Sequence, residues 1–133
     1  MSNVFSTAVS GLNDAFTRVA NAASNIVNAS STSKLPSSSS APYSGFTPQD
    51  VITLSSGNGN GVTSVLQPRN PAYVAASDPT SPNANASGLV AAPNVDLNAE
   101  LISSKEAQVS YGADAKVIKV ASEMEKSLLD AIS

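Results

Sequence analysis

The chain has 133 residues, 41% of them hydrophobic but only 5% aromatic, with no Trp, three Phe and three Tyr, so its apolar content is mostly small side chains and argues against a large self-sufficient core. Charged residues make up 13% and the net charge is −3, which excludes a basic nucleic-acid surface or an electrostatic membrane anchor and suits a surface packed against other chains. Cys and His are both absent, which removes disulfides, thiolate and imidazole catalysis and the usual zinc sites; neither a catalytic nor a cofactor or metal site is expected.

From Val4 to Val27, the residues Phe5, Ala8, Leu12, Ala15, Val19, Ala22 and Ile26 recur at spacings of three and four, the signature of a helix seam. Val9, Phe16, Ala20 and Ala23 form a second apolar stripe, implying two partners. Asn13, Asp14, Thr17, Arg18 and Asn21 fall largely outside the seam. Ser2 or Asn3 is the expected cap, and the helix is expected to stop near Asn28, where Ser30, Ser31, Thr32 and Ser33 compete for the backbone.

Residues 34–92 hold seven of the eight prolines, five of the seven glycines and the serine run Ser37 to Ser40, and read as a connecting region. Within it, Val51 to Leu54 and Val62 to Leu66 flank Gly57, Asn58, Gly59 and Asn60, residue types that accept positive φ, so a small β-hairpin is expected. A third short strand at 72–75 or at 89–91 would join it.

Pro93 marks the boundary of a second helix, with Asn94 or Asp96 as its cap and Glu100 placed where the helix dipole favours negative charge. Its stripe runs through Leu97, Leu101, Ile102, Val109, Ala113, Val117, Val120, Ala121, Met124, Leu128 and Ile132, and Gly112 is a place for it to bend. Residues 96–132 carry seven acidic and four basic side chains, the whole net charge of the chain.

The fold expected from these elements is mainly α: long N- and C-terminal helices packed as a coiled-coil-like hairpin, with a loop-rich insert that contains a small β-hairpin. The divisions are 1–29 for the first core helix, 30–92 for the insert and 93–133 for the second core helix. Phe5, Leu12, Phe16, Val19 and Ile26 with Val117, Val120, Met124 and Leu128 are expected to form the assembly and core seam, Phe5, Leu12, Val19 and Ile26 packing on the second-helix set, while the outer stripes contact neighbouring subunits in open, head-to-tail association. Glu123 and Glu125 point to different sides of a helix and make no catalytic pair, whereas Lys119 and Glu123 suit an i,i+4 surface pair. Asn58 to Gly61 lacks the lysine and helix of a phosphate loop, and Asp78, Asn83 and Asn85 lack the spacing of a calcium loop.

Ser10-Gly11-Leu12, Arg18, Ala23-Ser24-Asn25-Ile26 and Asn28-Ala29 together resemble the N-terminal signature of flagellar rod and hook proteins. Asp78-Pro79, Pro82, Gly88, Val90, Pro93-Asn94-Val95 and Tyr111 resemble the second half of the flagellar basal-body rod protein FlgC family, with departures at Ala76-Ser77, Leu89, Val109 and Asp114. The resemblance implies a non-catalytic subunit of the proximal rod, in the periplasmic part of the basal body. It also implies export through the flagellar type III apparatus without signal cleavage, and contact with other rod proteins, ring and export-gate components and further copies of itself. It implies neither nucleic-acid binding nor membrane insertion. Another rod-family subunit, or a secreted binding module with an export-competent N-terminus, stays open as an alternative.

Overall fold

The computed structural model describes residues 2–38 and 42–132; the last two positions of the serine run, Ser39 and Ser40, lie outside the described residues. Helix α1 spans Ser2–Asn28. It ends where Ala29 N–H donates to the Ile26 carbonyl and the Ser31 amide and hydroxyl both donate to the Asn28 carbonyl, a local closure that stops the helical ladder.

Two antiparallel hairpins follow. Strands β1 (Gln49–Ser55) and β2 (Val62–Pro68) pair from Gln49↔Pro68 to Ser55↔Val62. Their connection turns through Gly57, Asn58 and Gly59, all at positive φ, closed by a bond from Asn60 N–H to the Gly57 carbonyl and another from Ser56 N–H to the Gly61 carbonyl. Strands β3 (Tyr73–Ser77) and β4 (Leu89–Pro93) pair from Tyr73↔Pro93 to Ser77↔Leu89 as a separate two-stranded sheet. The segment before β1 leans on this second sheet: Ser33 and Ala91 exchange both backbone bonds at 2.9 Å, and Tyr43 stacks on Tyr73 with ring centroids 4.6 Å apart.

This overturns the mainly α expectation. The protein is mixed: among the described residues 49% are helical and 20% strand, with four strands in two sheets. Strands expected as alternatives for a place beside the first hairpin instead pair with each other. Proline and serine in this region punctuate strands rather than replace them, and the short β3–β4 ladder, too small to persist alone, gains cover from Tyr43 and the Ser33 bridge. Pro93 closes β4 rather than opening a helix.

Helix α2 runs from Leu97 to Ile132, capped by Asp96, whose carboxylate accepts from the Asn98 and Ala99 amides at 2.9 and 3.2 Å. It lies antiparallel to α1. Gly11 faces Asp114, Arg18 reaches Glu106 and Asn25 reaches Glu100, so the two residue numbers of each facing pair sum to a nearly constant value. On that register Ser2 lies opposite the level of Glu123, and the last nine or so residues of α2, about 13 Å of helix, extend past α1. No helix among the described residues is long and apolar enough to cross a membrane.

The buried contact between the helices is made of alanine. Ala8, Ala15 and Ala22 on α1 and Ala107 and Ala121 on α2 are all at most 4% exposed. Each set follows a seven-residue spacing, shared on α2 by buried Glu100 and half-buried Asp114, the repeat that keeps one seam facing a partner along two helices. Phe5, Leu12, Val19 and Ile26 are half-buried at its margins, while Val117, Val120, Met124 and Leu128 are exposed. The seam thus differs from the large-residue packing expected from the sequence: methyl groups let the backbones approach, and bulkier neighbours are pushed to the flanks. At Gly11 the helices come near enough that a Cβ there would run into the Asp114 carboxylate.

Candidate assembly interface

Polar residues of α1 hold the first hairpin. Thr7 Oγ1 donates to the Gly59 carbonyl at 3.0 Å, Ser10 Oγ accepts from Val62 N–H at 3.0 Å, and Asp14 Oδ1 accepts from both the Thr53 and Ser64 hydroxyls at 2.7 Å. Further along, Asn21 and Asn25 both donate to the Gln49 carbonyl, at 2.7 and 2.8 Å, and Asn25 Oδ1 accepts from Gln49 N–H at 3.2 Å. Residues 7, 10, 14, 21 and 25 fall on one helical face. Asp14 and Asn21 stand among the polar residues outside the apolar seam, which is a signal for part of this face; Thr7, Ser10 and Asn25 are not in that set.

At the far end of the hairpin these bonds merge into a charged junction. Asn25, 1% exposed, also donates to Glu100 Oε1 at 2.9 Å. Glu100, buried in the first turn of α2, accepts from Arg69 at 3.0 Å; Arg69 also clamps Asp50 and donates to the Asn94 carbonyl at 2.8 Å. The Asp50 hydrogen bond, joined by Glu100, holds the Arg69 guanidinium above its already high ordinary value against the opposing effect of burial. One node therefore ties α1, β1, the residue after β2 and the start of α2. A polar cleft of about 400 Å³ beside it is lined by Arg18, Asn21, Asp50, Arg69, Glu100 and Ser103, among others. Its charged side chains are engaged, Arg18 with Glu106 outside the cleft and Arg69 with Asp50 and Glu100.

The motif residues divide by the work they do. Ser10, Gly11 and Asn25 meet the hairpin, α2 or both; Leu12 is half-buried, Arg18 pairs with Glu106 at 3.4 Å, and exposed Ser24 offers its carbonyl to Asn28 Nδ2 at 2.9 Å. In the second half, Asp78 closes the tight turn after β3, accepting from Thr80 Oγ1 at 2.9 Å, and Pro79 lies against Gly88. Asn94 straps the base of the second hairpin through Ala72 and Pro71 at 3.0 Å each, while Pro93 is buried and Val95 half-buried beside it. Asn83 and Asn85 are spent on the Thr32 carbonyl and on the Ser87 and Leu89 amides, not gathered around a cation position. Among the described residues no group of three or more His, Cys, Asp or Glu is placed to hold a metal ion.

What remains outside is apolar. Val9, Phe16 and Val27 on α1, and Val109, Tyr111, Val117, Val120, Met124, Leu128 and Ile132 on α2, are all exposed, Phe16 at 69% and Ile132 at 82%. Phe16 and Val19 with Gln108 and Tyr111 rim one shallow apolar groove, and Phe16 and Ala20 with Leu66 rim another. The accessible surface is 8474 Å². A compact monomer of 13.4 kDa exposes about 6,500 Å², so about 2,000 Å² is in excess. A small-residue helix pair with apolar outer faces and surplus surface leaves area that other chains could cover.

Residues 86–131 match the family described as flagellar basal body rod FlgEFG protein C-terminal, a span that takes in β4 and nearly all of α2. That match supports a flagellar rod protein, as the sequence motifs implied at the level of the family; it does not single out FlgC. The matched span is 46 of the 133 residues. No curated protein matches the chain.

Proposed function

We propose that this chain is a subunit of the proximal rod of the flagellar basal body, exported unfolded through the type III apparatus without signal cleavage. In that role it is built into a tube by side-by-side packing of its terminal helices with those of other rod proteins and of further copies. The observation that carries the reading is the exposed apolar stripe on each helix, left over after the alanine seam has closed the pair. A seam of methyl groups buries little area, so the pair gains most of its remaining hydrophobic stabilisation only when the outer stripes are covered. The divisions 1–29, 30–92 and 93–133 belong to the same proposal: the two ends build the tube and the strands brace them. The nearly uncharged face of α1 suits the packed wall, and α2 carries the charged face.

The test is to express an epitope-tagged chain in cells lacking the native copy, isolate basal bodies and locate the tag. Tag density in the rod segment next to the membrane-embedded ring is the expected result. Density in the distal rod would move the chain to another rod subunit, and its absence from basal bodies, with the protein found free outside the cell, would favour the secreted binding module.

A further inference from the structure

The first hairpin carries apolar side chains on both of its faces. In an antiparallel ladder, successive side chains point to opposite faces. Thr53 and Ser64 point at Asp14 of α1, which fixes the inner face: Thr53, Ser64 and Ser55 lie on it beside Val51, Val62 and Leu66. Ile52 and Leu54 on β1 and Val65 on β2 therefore share the other face, with Ile52 directly opposite Val65 in the register, and they are 40%, 51% and 45% exposed. A hairpin on a soluble monomer turns its apolar face inward and its polar face to water. Here the outward face keeps an apolar cluster of its own, and the hydrogen bonds that hold the hairpin to α1 leave that cluster free.

The same chain carries an unused apolar element of matching kind. The part of α2 beyond the end of α1 exposes Met124, Leu128 and Ile132, spaced four residues apart on one helical face. That end cannot reach its own hairpin. Asp14, which marks the level of Ile52 and Val65, lies opposite about residue 111, and Leu128 is 17 residues farther along, about 25 Å away.

We propose that the outward face of the β1–β2 hairpin is the docking site for the α2 end of a second copy of this chain, in a head-to-tail contact. This names the surfaces behind the self-association and rests on the assembly reading above. The occupant is argued from area and reach. A stable specific contact buries about 800 Å² on each partner. Each copy inside an open head-to-tail series buries two such patches, about 1,600 Å², which falls within the surplus of about 2,000 Å² that this chain exposes. A face-to-face dimer through the hairpins would cover one patch and leave the α2 end bare. The contact is heterologous, so it propagates along an axis rather than closing on itself.

The absence of cysteine makes the contact directly readable in the full-length protein. Val65→Cys and Leu128→Cys both alter exposed positions. Under mild oxidation the double variant is expected to give a ladder of disulfide-linked multimers, and an equal mixture of the two single variants to give heterodimers that stop at two. Adding Ile52→Asp to the double variant should abolish the ladder while leaving the helical circular dichroism signal unchanged. No ladder, or Val65→Cys linking to itself as readily as to Leu128→Cys, would overturn the proposal. Incorporation of an Ile52→Asp chain into basal bodies at the wild-type level would also sink the docking contact and leave the rod reading standing. A ladder from a chain that never enters basal bodies would do the reverse.

Discussion

Replacing Asn25 by Ala is expected to be the most damaging single polar deletion in the chain. The side chain is 1% exposed and makes three bonds: to the Gln49 carbonyl at 2.8 Å, from the Gln49 amide at 3.2 Å and to Glu100 Oε1 at 2.9 Å. In the variant the Gln49 carbonyl keeps Asn21 and Glu100 keeps Arg69, so neither is orphaned. The Gln49 amide loses its side-chain acceptor, and Glu100, a buried carboxylate, loses one of two donors. An unsatisfied buried amide costs about 1–3 kcal/mol and a lost bond to a charged group about 1.5–3 kcal/mol. Partial relaxation of the two costs together leaves about 2–4 kcal/mol. Against a total of about 5–15 kcal/mol for a domain, that is a large share. Urea unfolding followed by circular dichroism should show the midpoint fall with little change in slope. A loss below about 1 kcal/mol would refute the reasoning, because it would mean that the hairpin and both helices hold their places without this junction.

Three further outcomes follow from the same geometry. Arg69→Lys, which gives up the forked contact to Asp50 and the reach to Glu100 and Asn94, is expected to cost about 1–2 kcal/mol in urea unfolding. Because the folded-state value of Arg69 is raised, the stability it contributes is fully present below the ordinary arginine value and is lost only as pH rises through the still higher folded value. Its own titration therefore adds no slope between neutrality and mild alkali, and a wild-type advantage that shrinks across that window would contradict the assignment. Ala15→Leu forces a larger side chain into the seam and should cost about 1–3 kcal/mol, whereas Phe16→Ser on the exposed stripe should change monomer stability by no more than about 0.5 kcal/mol while reducing incorporation into rods. Gly11→Leu should lower the thermal midpoint by parting the helices at Asp114, and Asp114→Ala should restore much of it; additive effects in that double-mutant cycle would rule out the close approach.

Much of the architecture was legible because it is local. The three- and four-residue spacing from Phe5 to Ile26 announces α1, the residues Gly57 to Asn60 announce the turn between β1 and β2, and Asp96 is a cap wherever the chain places it. The β3–β4 pairing was hidden because short strands of Ala and Val owe their order to what covers them, here Tyr43 and Ser33. The seam was misjudged for a related reason. A periodic pattern reports which side of a helix is apolar, and both the alanine line and the bulkier line beside it fit the same period.

By itself the sequence determined that two long helices bracket a punctuated middle and that no histidine or cysteine chemistry is available, because helix periodicity and composition are properties of neighbours along the chain. Only the tertiary structure decided that alanines meet while larger side chains stay outside. It likewise decided that Asn25, Arg69 and Glu100 form one junction, and that the first hairpin leaves Ile52, Leu54 and Val65 on its outward face. Those outcomes depend on how closely two backbones can approach and on which strand face finds hydrogen-bond partners, quantities that exist only once distant segments are in contact.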